Sequence, residues 1–107
     1  MAEAITDADG VPLGYVAQAL PEGTESGVLE VRVPCSAGRF LTAADDPIVR
    51  VLARRTGSGD AFVDLQSAPY DLTPHDGETV AFDVKLLTGA VSANTTFAVP
   101  VRVTPRP

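Results

Sequence analysis

Few side chains in this 107-residue chain are reactive, so the first question is whether any of them stand where they could act together. His75 is the one imidazole, and it lies in the run Leu72-Thr73-Pro74-His75-Asp76-Gly77-Glu78, which is turn chemistry. A catalytic histidine needs a nucleophile and an orienting acid close to it. Cys35, Ser36 and Ser67 are available nucleophiles, but nothing in their spacing selects one. Asp7-Ala8-Asp9-Gly10 has the alternating acids and glycine that open a calcium loop. No acid follows at the required offset, because Val16 to Leu20 supplies none, and the segment reads as an acidic turn. Asp45, Asp46, Asp60, Asp64, Asp71 and Asp76 would make a cation site only if the fold gathered them at one end of the domain. Asn94-Thr95-Thr96 satisfies the glycosylation sequon, and with no export signal it reads as a polar turn. Phosphate-cradling glycine loops, zinc-ligand spacing and paired acids on a recognisable scaffold are all lacking. The expectation is a non-enzymatic protein with no catalytic residue, no metal and no cofactor.

Charge narrows the partners. Fourteen acidic residues against eight basic ones give a formal charge of −6. Binding to a phosphate backbone needs the opposite balance, so no nucleic-acid partner is expected. Arg50, Arg54 and Arg55 form a local basic spot, which reads as a solvated strand end. The leading MAEAITDADG has no basic region followed by an apolar core, and no stretch approaches a membrane span. The expectation is no membrane partner, with the chain kept in the cell that makes it. A single cysteine, Cys35, excludes an internal disulfide, and stability has to come from packing.

The elements that must position these residues are strands. Val80, Phe82, Val84 and Leu86 alternate with Ala81, Asp83, Lys85 and Leu87, the period-two pattern of a half-buried strand. Phe97, Val99, Val101 and Val103 repeat it against Thr96, Ala98, Pro100 and Arg102. Joined through a loop with Gly89, Ser92 and Asn94, the two segments predict a hairpin. Further strands are predicted at Leu13–Ala19, Val28–Val33, Arg39–Ala43, Ile48–Arg55 and Ala61–Gln66. The last two form a second hairpin around Gly57-Ser58-Gly59-Asp60. Nine glycines and nine prolines leave room for at most a turn of helix, placed at Leu41 to Asp46. Pro100 has no amide proton to give a ladder, which predicts an edge position or a bulge for the last strand.

Six or seven strands at regular spacing predict one all-β domain, an antiparallel β-sandwich of immunoglobulin-like or small jelly-roll type. It would span residues 13–107 behind a polar N-terminal arm, residues 1–12. The expected core is Leu29, Val31, Val33, Val49, Val51, Val63, Leu65, Val80, Phe82, Val84, Leu86, Phe97, Val99 and Val101. Leu52 and Leu87 fall on the outward faces and suggest apolar surface awaiting a partner.

Two segments carry a resemblance to known modules. YDLTPHDGETVAFDVKL, Tyr70 to Leu86, is similar to the DLS-x-x-x-G-x-x-V-x-F-x-x segment of jelly-roll modules, matched at Asp71, Leu72, Gly77, Val80 and Phe82. ITDADGVPLG, Ile5 to Gly14, looks like the first turn of bacterial immunoglobulin-like domains. As a type, a small acidic sandwich without chemistry resembles the accessory and decoration proteins of tailed bacteriophage virions. That resemblance implies a structural virion component, a capsid decoration or tail accessory protein made in the host cytoplasm. Its partners would be shell or tail proteins and further copies of itself, reached by the N-terminal twenty residues. The alternative is an exported or cell-surface immunoglobulin-like module for adhesion or carbohydrate binding.

Overall fold

A computed structural model of the chain describes residues 3–4, 14–20, 22–89 and 93–105. Asp7-Ala8-Asp9-Gly10, and all of the Ile5–Gly14 segment except Gly14, lie outside the described residues. The strands are β1 (Glu3–Ala4), β2 (Gly14–Leu20), β3 (Ser26–Pro34), β4 (Phe40–Ala43), β5 (Arg50–Arg55), β6 (Val63–Asp64), β7 (Tyr70–Asp71), β8 (Thr79–Leu87) and β9 (Thr95–Thr104). They build two sheets, ordered β1-β3-β8-β5-β6 and β2-β9-β4-β7. Every pairing is antiparallel except β1 on β3. The expected all-β sandwich is the architecture observed, with β2, β3, β4, β5, β8 and β9 as its strands of four residues or more.

Alternation in the sequence becomes layers in the fold. In β3, Val31 and Val33 are buried while Arg32 is exposed; in β8, Phe82, Val84 and Leu86 are fully buried. Register sets Val31 opposite Phe82, and Val84 between Leu29 and Ala53; Leu86 faces Val51. The inner face of the larger sheet is therefore a continuous apolar layer. From the smaller sheet come Leu41, Val101 and Val103, all fully buried, with Leu41 opposite Val103. Tyr70 of β7 meets Phe82 of β8 edge to face, ring centroids 5.1 Å apart at 84°. That contact ties one sheet to the other, in the geometry aromatic pairs favour.

Of the expected core, Val31, Val33, Val49, Val51, Leu65, Phe82, Val84, Leu86 and Val101 are buried, and Leu29 and Val80 pack against them half-buried. Val63 is half-buried, because two-residue β6 ends its sheet and has a strand on one side only. The side chains of Phe97 and Val99 lie outside the described residues. Leu72 and Cys35 join the core from turns, where no periodicity marks them.

Three expectations are corrected. The segments at Val80–Leu86 and Phe97–Val103 do not form a hairpin: β8 lies between β3 and β5, and β9 lies in the other sheet between β2 and β4. Their connection crosses from sheet to sheet. Leu41 to Asp46 holds no helical turn, and the one among the described residues is the 3-10 turn Thr73–His75, started by Pro74. Nor is β9 an edge strand. Pro100 is tolerated because β9 changes partners there: it pairs with Tyr15 of β2, and the register with β4 begins only at Val101 opposite Ala43. The second predicted hairpin is present, as Leu52 faces Asp64 and Ala53 faces Val63.

Phe82 fills the centre of the core and makes the intersheet ring contact, so Phe82→Ala should cost about 3–5 kcal/mol. Val28→Ala, at a site 54% exposed, should shift stability by no more than about 0.5 kcal/mol. Urea denaturation followed by circular dichroism measures both, and equal midpoints for the two variants would contradict the assigned core.

Candidate functional site

Cys35 and His75 lie in two turns, one after β3 and one before β8, that are laced together. The Cys35 N–H donates to the Glu78 carbonyl at 2.8 Å, and the Gly77 N–H donates to the Cys35 carbonyl at 3.1 Å. The Ala37 N–H donates to Asp76 Oδ1 at 3.1 Å and the Gly38 N–H to Thr73 Oγ1 at 2.9 Å. Gly77 has φ +84°, which only glycine adopts without strain. Asp71 takes the Thr73 N–H at 2.9 Å; that bond, with one from the Thr73 side chain, holds its carboxyl below the usual range. The positions matched to jelly-roll modules are thus accounted for by a turn, a buried Leu72 and the start of β8.

These turns are poor ground for nucleophilic chemistry. The Cys35 thiol is buried and donates to the Val33 carbonyl at 3.4 Å. Burial pushes its pKa up and the Glu78 charge adds to that, against a hydrogen bond from the Val80 backbone. A thiol disfavoured as thiolate is a weak nucleophile. His75 is half-buried in the 3-10 turn. Ser67 lies elsewhere, its hydroxyl accepting from Arg50 at 3.1 Å.

The aspartates have local roles. Asp46 takes the N–H groups of Ile48 and Val49 at 2.8 and 3.1 Å, while Asp64 pairs with Arg50. Among the described residues no three acids, histidines or cysteines gather as a metal would require. Two arginines of the expected basic spot, Arg50 and Arg54, are paired with acids. Arg50 Nε reaches Asp64 Oδ2 at 3.2 Å. Arg54 stacks 4.3 Å over the centroid of Phe62, donates to the Asp60 carbonyl at 3.2 Å and lies 3.7 Å from Asp83. Asn94 of the sequon is exposed, and its Oδ1 accepts the Glu22 N–H at 2.8 Å.

What remains is a surface, the outer face of the larger sheet. Register aligns Val28, Lys85, Leu52 and Asp64 in one row across β3, β8, β5 and β6, and Ser26, Leu87 and Arg50 in the next. Val28 and Leu87 are diagonal neighbours, close enough for side chains to share a surface. They are 54% and 39% exposed, and Ile48, two residues before Arg50, is 67% exposed. Lys85 and Arg54 converge on the Phe62 ring beside them, and the Arg50–Asp64 pair lies along the margin. An apolar centre with charged pairs at its rim is the anatomy of a protein–protein interface. Leu87 is among the two outward leucines expected here, whereas Leu52 is half-buried. Val28 shares the parity of Glu30 and Arg32 in β3, whereas Ile48 lies in a bend ahead of β5, where strand parity assigns it no side.

The rim pair sets a pH response. Partial burial pulls the Asp64 carboxyl up, and the Arg50 hydrogen bond, the Gln66 N–H, the Arg50 charge and Ser67 together outweigh it, leaving the pKa below its ordinary 3.8. A lowered folded-state pKa gives stability that is complete above the ordinary value and is lost as pH falls through the folded one. Asp64→Asn should therefore cost about 0.2–1 kcal/mol at neutral pH, the range of exposed pairs, and nothing once the pH lies below both values. Thermal melts of both proteins from pH 7 to pH 2 should converge on acidification; a gap that stays constant would refute the assignment. Comparison with known proteins finds no matching family model, no matching curated protein and no matching solved structure, so the role of this surface is argued from its own chemistry.

Proposed function

We propose that this protein is a non-enzymatic structural component of a larger assembly, docking through the outer face of its larger sheet. Its setting is a tailed-phage virion, where it serves as a capsid decoration or tail accessory protein. The exposed diagonal pair Val28 and Leu87 on that face carries this reading, with exposed Ile48 in the bend ahead of β5. The other face of the same sheet already fills the core, so these side chains gain nothing from folding and are stabilised only by cover from outside. A charge of −6 opposes non-specific clumping of free copies in solution. Repetition over a symmetric shell then supplies avidity that one small patch does not. The rival, an exported adhesion or carbohydrate-binding module, has in its favour the exposed Asn94 of the sequon.

The double variant Val28→Glu/Leu87→Glu tests the docking face. Both sites are exposed, so its melting temperature should stay within a few degrees of the parent. In lysates of cells producing the particles, the parent should co-sediment with them and the variant should remain in the soluble fraction. Equal recovery of parent and variant on particles would defeat the docking face. A parent found free in every fraction would defeat the assembly reading itself.

A further inference from the structure

We propose that the free edge of β2 is a self-association site, at which two copies of the chain pair antiparallel about a two-fold axis through Ala17. Among the described residues β2 ends the smaller sheet, with β9 as its one neighbour. The other sheet ends, β1, β6 and β7, are two residues long, and each carries an acid: Glu3, Asp64 and Asp71. β2 is seven residues, GYVAQAL, with no charge and no proline. Edge strands are normally protected from each other by shortness, charge or proline, and β2 has none of these.

Pro100 fixes which backbone groups face outward. It stands opposite Tyr15 in an unbroken register from Gly14↔Val101 to Leu20↔Thr95. In an antiparallel ladder, facing residues alternate between pairs that exchange both hydrogen bonds and pairs that exchange none. Proline has no N–H to exchange, so Tyr15↔Pro100 is of the second kind. Val16, Gln18 and Leu20 therefore bond to β9, and Tyr15, Ala17 and Ala19 turn their N–H and C=O groups to the open edge.

Those outward groups are self-complementary. With the axis through Ala17, Ala17 faces its own copy and Tyr15 faces Ala19 of the second copy, in both directions. Each outward N–H then meets an outward C=O, and none is left over. The axis brings no like charges together, as the same operation on β1, β6 or β7 would with their acids. An isologous two-fold contact closes on itself as a dimer and does not propagate. It joins two four-stranded sheets into one, leaves the outer face of the larger sheet free and requires no particle.

Hydrogen exchange by NMR on the full chain reads this directly. Protection of the Tyr15, Ala17 and Ala19 amides should rise with protein concentration, and further with salt, which screens repulsion between two chains of charge −6. The Val16, Gln18 and Leu20 amides should be equally protected at every concentration. Sedimentation should show a species of twice 11.1 kDa. Ala17→Pro removes a donor at the axis but none to β9, and should abolish the dimer while keeping the strand-rich spectrum. Val28→Glu/Leu87→Glu should leave the dimer intact. The proposal is overturned if the three outward amides exchange at a concentration-independent rate, or if folded Ala17→Pro still dimerises. It is equally overturned if the outer-face variant is the one that loses the dimer. Should Ala17→Pro fail to fold, exchange in the unaltered chain decides alone.

Discussion

Strand β8 is held along both edges, and the organisation of the molecule follows from that. β3 pairs with it from Thr79 to Leu87 and β5 from Phe82 to Leu87. A strand so enclosed spends its backbone hydrogen bonds inside the sheet, and its alternate side chains are assigned to opposite fates. Phe82, Val84 and Leu86 go to the core without exposure. Ala81, Asp83, Lys85 and Leu87 form the middle of the outer face. A slip of one residue would exchange the two sets, burying Asp83 and Lys85 and exposing Phe82, so the register is strongly specified. The edge-to-face contact of Phe82 with Tyr70 extends that specification to the second sheet.

Connectivity makes the sandwich a single cooperative object. Among the described strands only β5 and β6 are both consecutive and paired; every other connection leaves one sheet for the other. Neither sheet can therefore be completed by a local stretch of chain, and closing the long intervening loops costs entropy before any pairing offsets it. The laced turns at Cys35–Arg39 and Asp71–Glu78 serve the same end, since they fix a crossing point with backbone hydrogen bonds where strand pairing is not available.

How far the sequence anticipated this depended on what alternation reports. It reports which side of a strand is buried, and there it was informative: the boundaries of β2, β3, β4, β5 and β8 fall within a few residues of those expected. It does not report which strand lies next door. The inner faces of both sheets carry the same Val-rich pattern, so β8 and β9 look alike whether they pair in one sheet or face each other across the roughly 10 Å between two. A connection running from Leu87 to Thr95 suits the longer step better than a two-residue turn would. Leu72 and Cys35 escaped because a turn residue enters the core singly, leaving no period to detect. The outer face was partly legible: Leu87 came from the parity of β8 and Val28 shares that of Glu30 and Arg32, whereas Ile48 stands before β5 begins, where no alternation assigns it a side.

A surface of this kind leaves a faint trace for a physical reason. Catalytic and metal sites force unusual residues into fixed relations, which a sequence displays even when the fold is unknown. A docking face needs only that the alternation of an ordinary strand place valine, isoleucine or leucine outward in adjacent rows, and adjacency is a property of register. Val28 and Leu87 are 59 positions apart in the chain, yet antiparallel pairing of Val28 with Lys85 makes them diagonal neighbours. The same holds for the free edge of β2, whose significance depends on Pro100 of another strand. In this protein the outer apolar pair and the edge of β2 are products of strand pairing, and the pairing that creates them is also what the core requires.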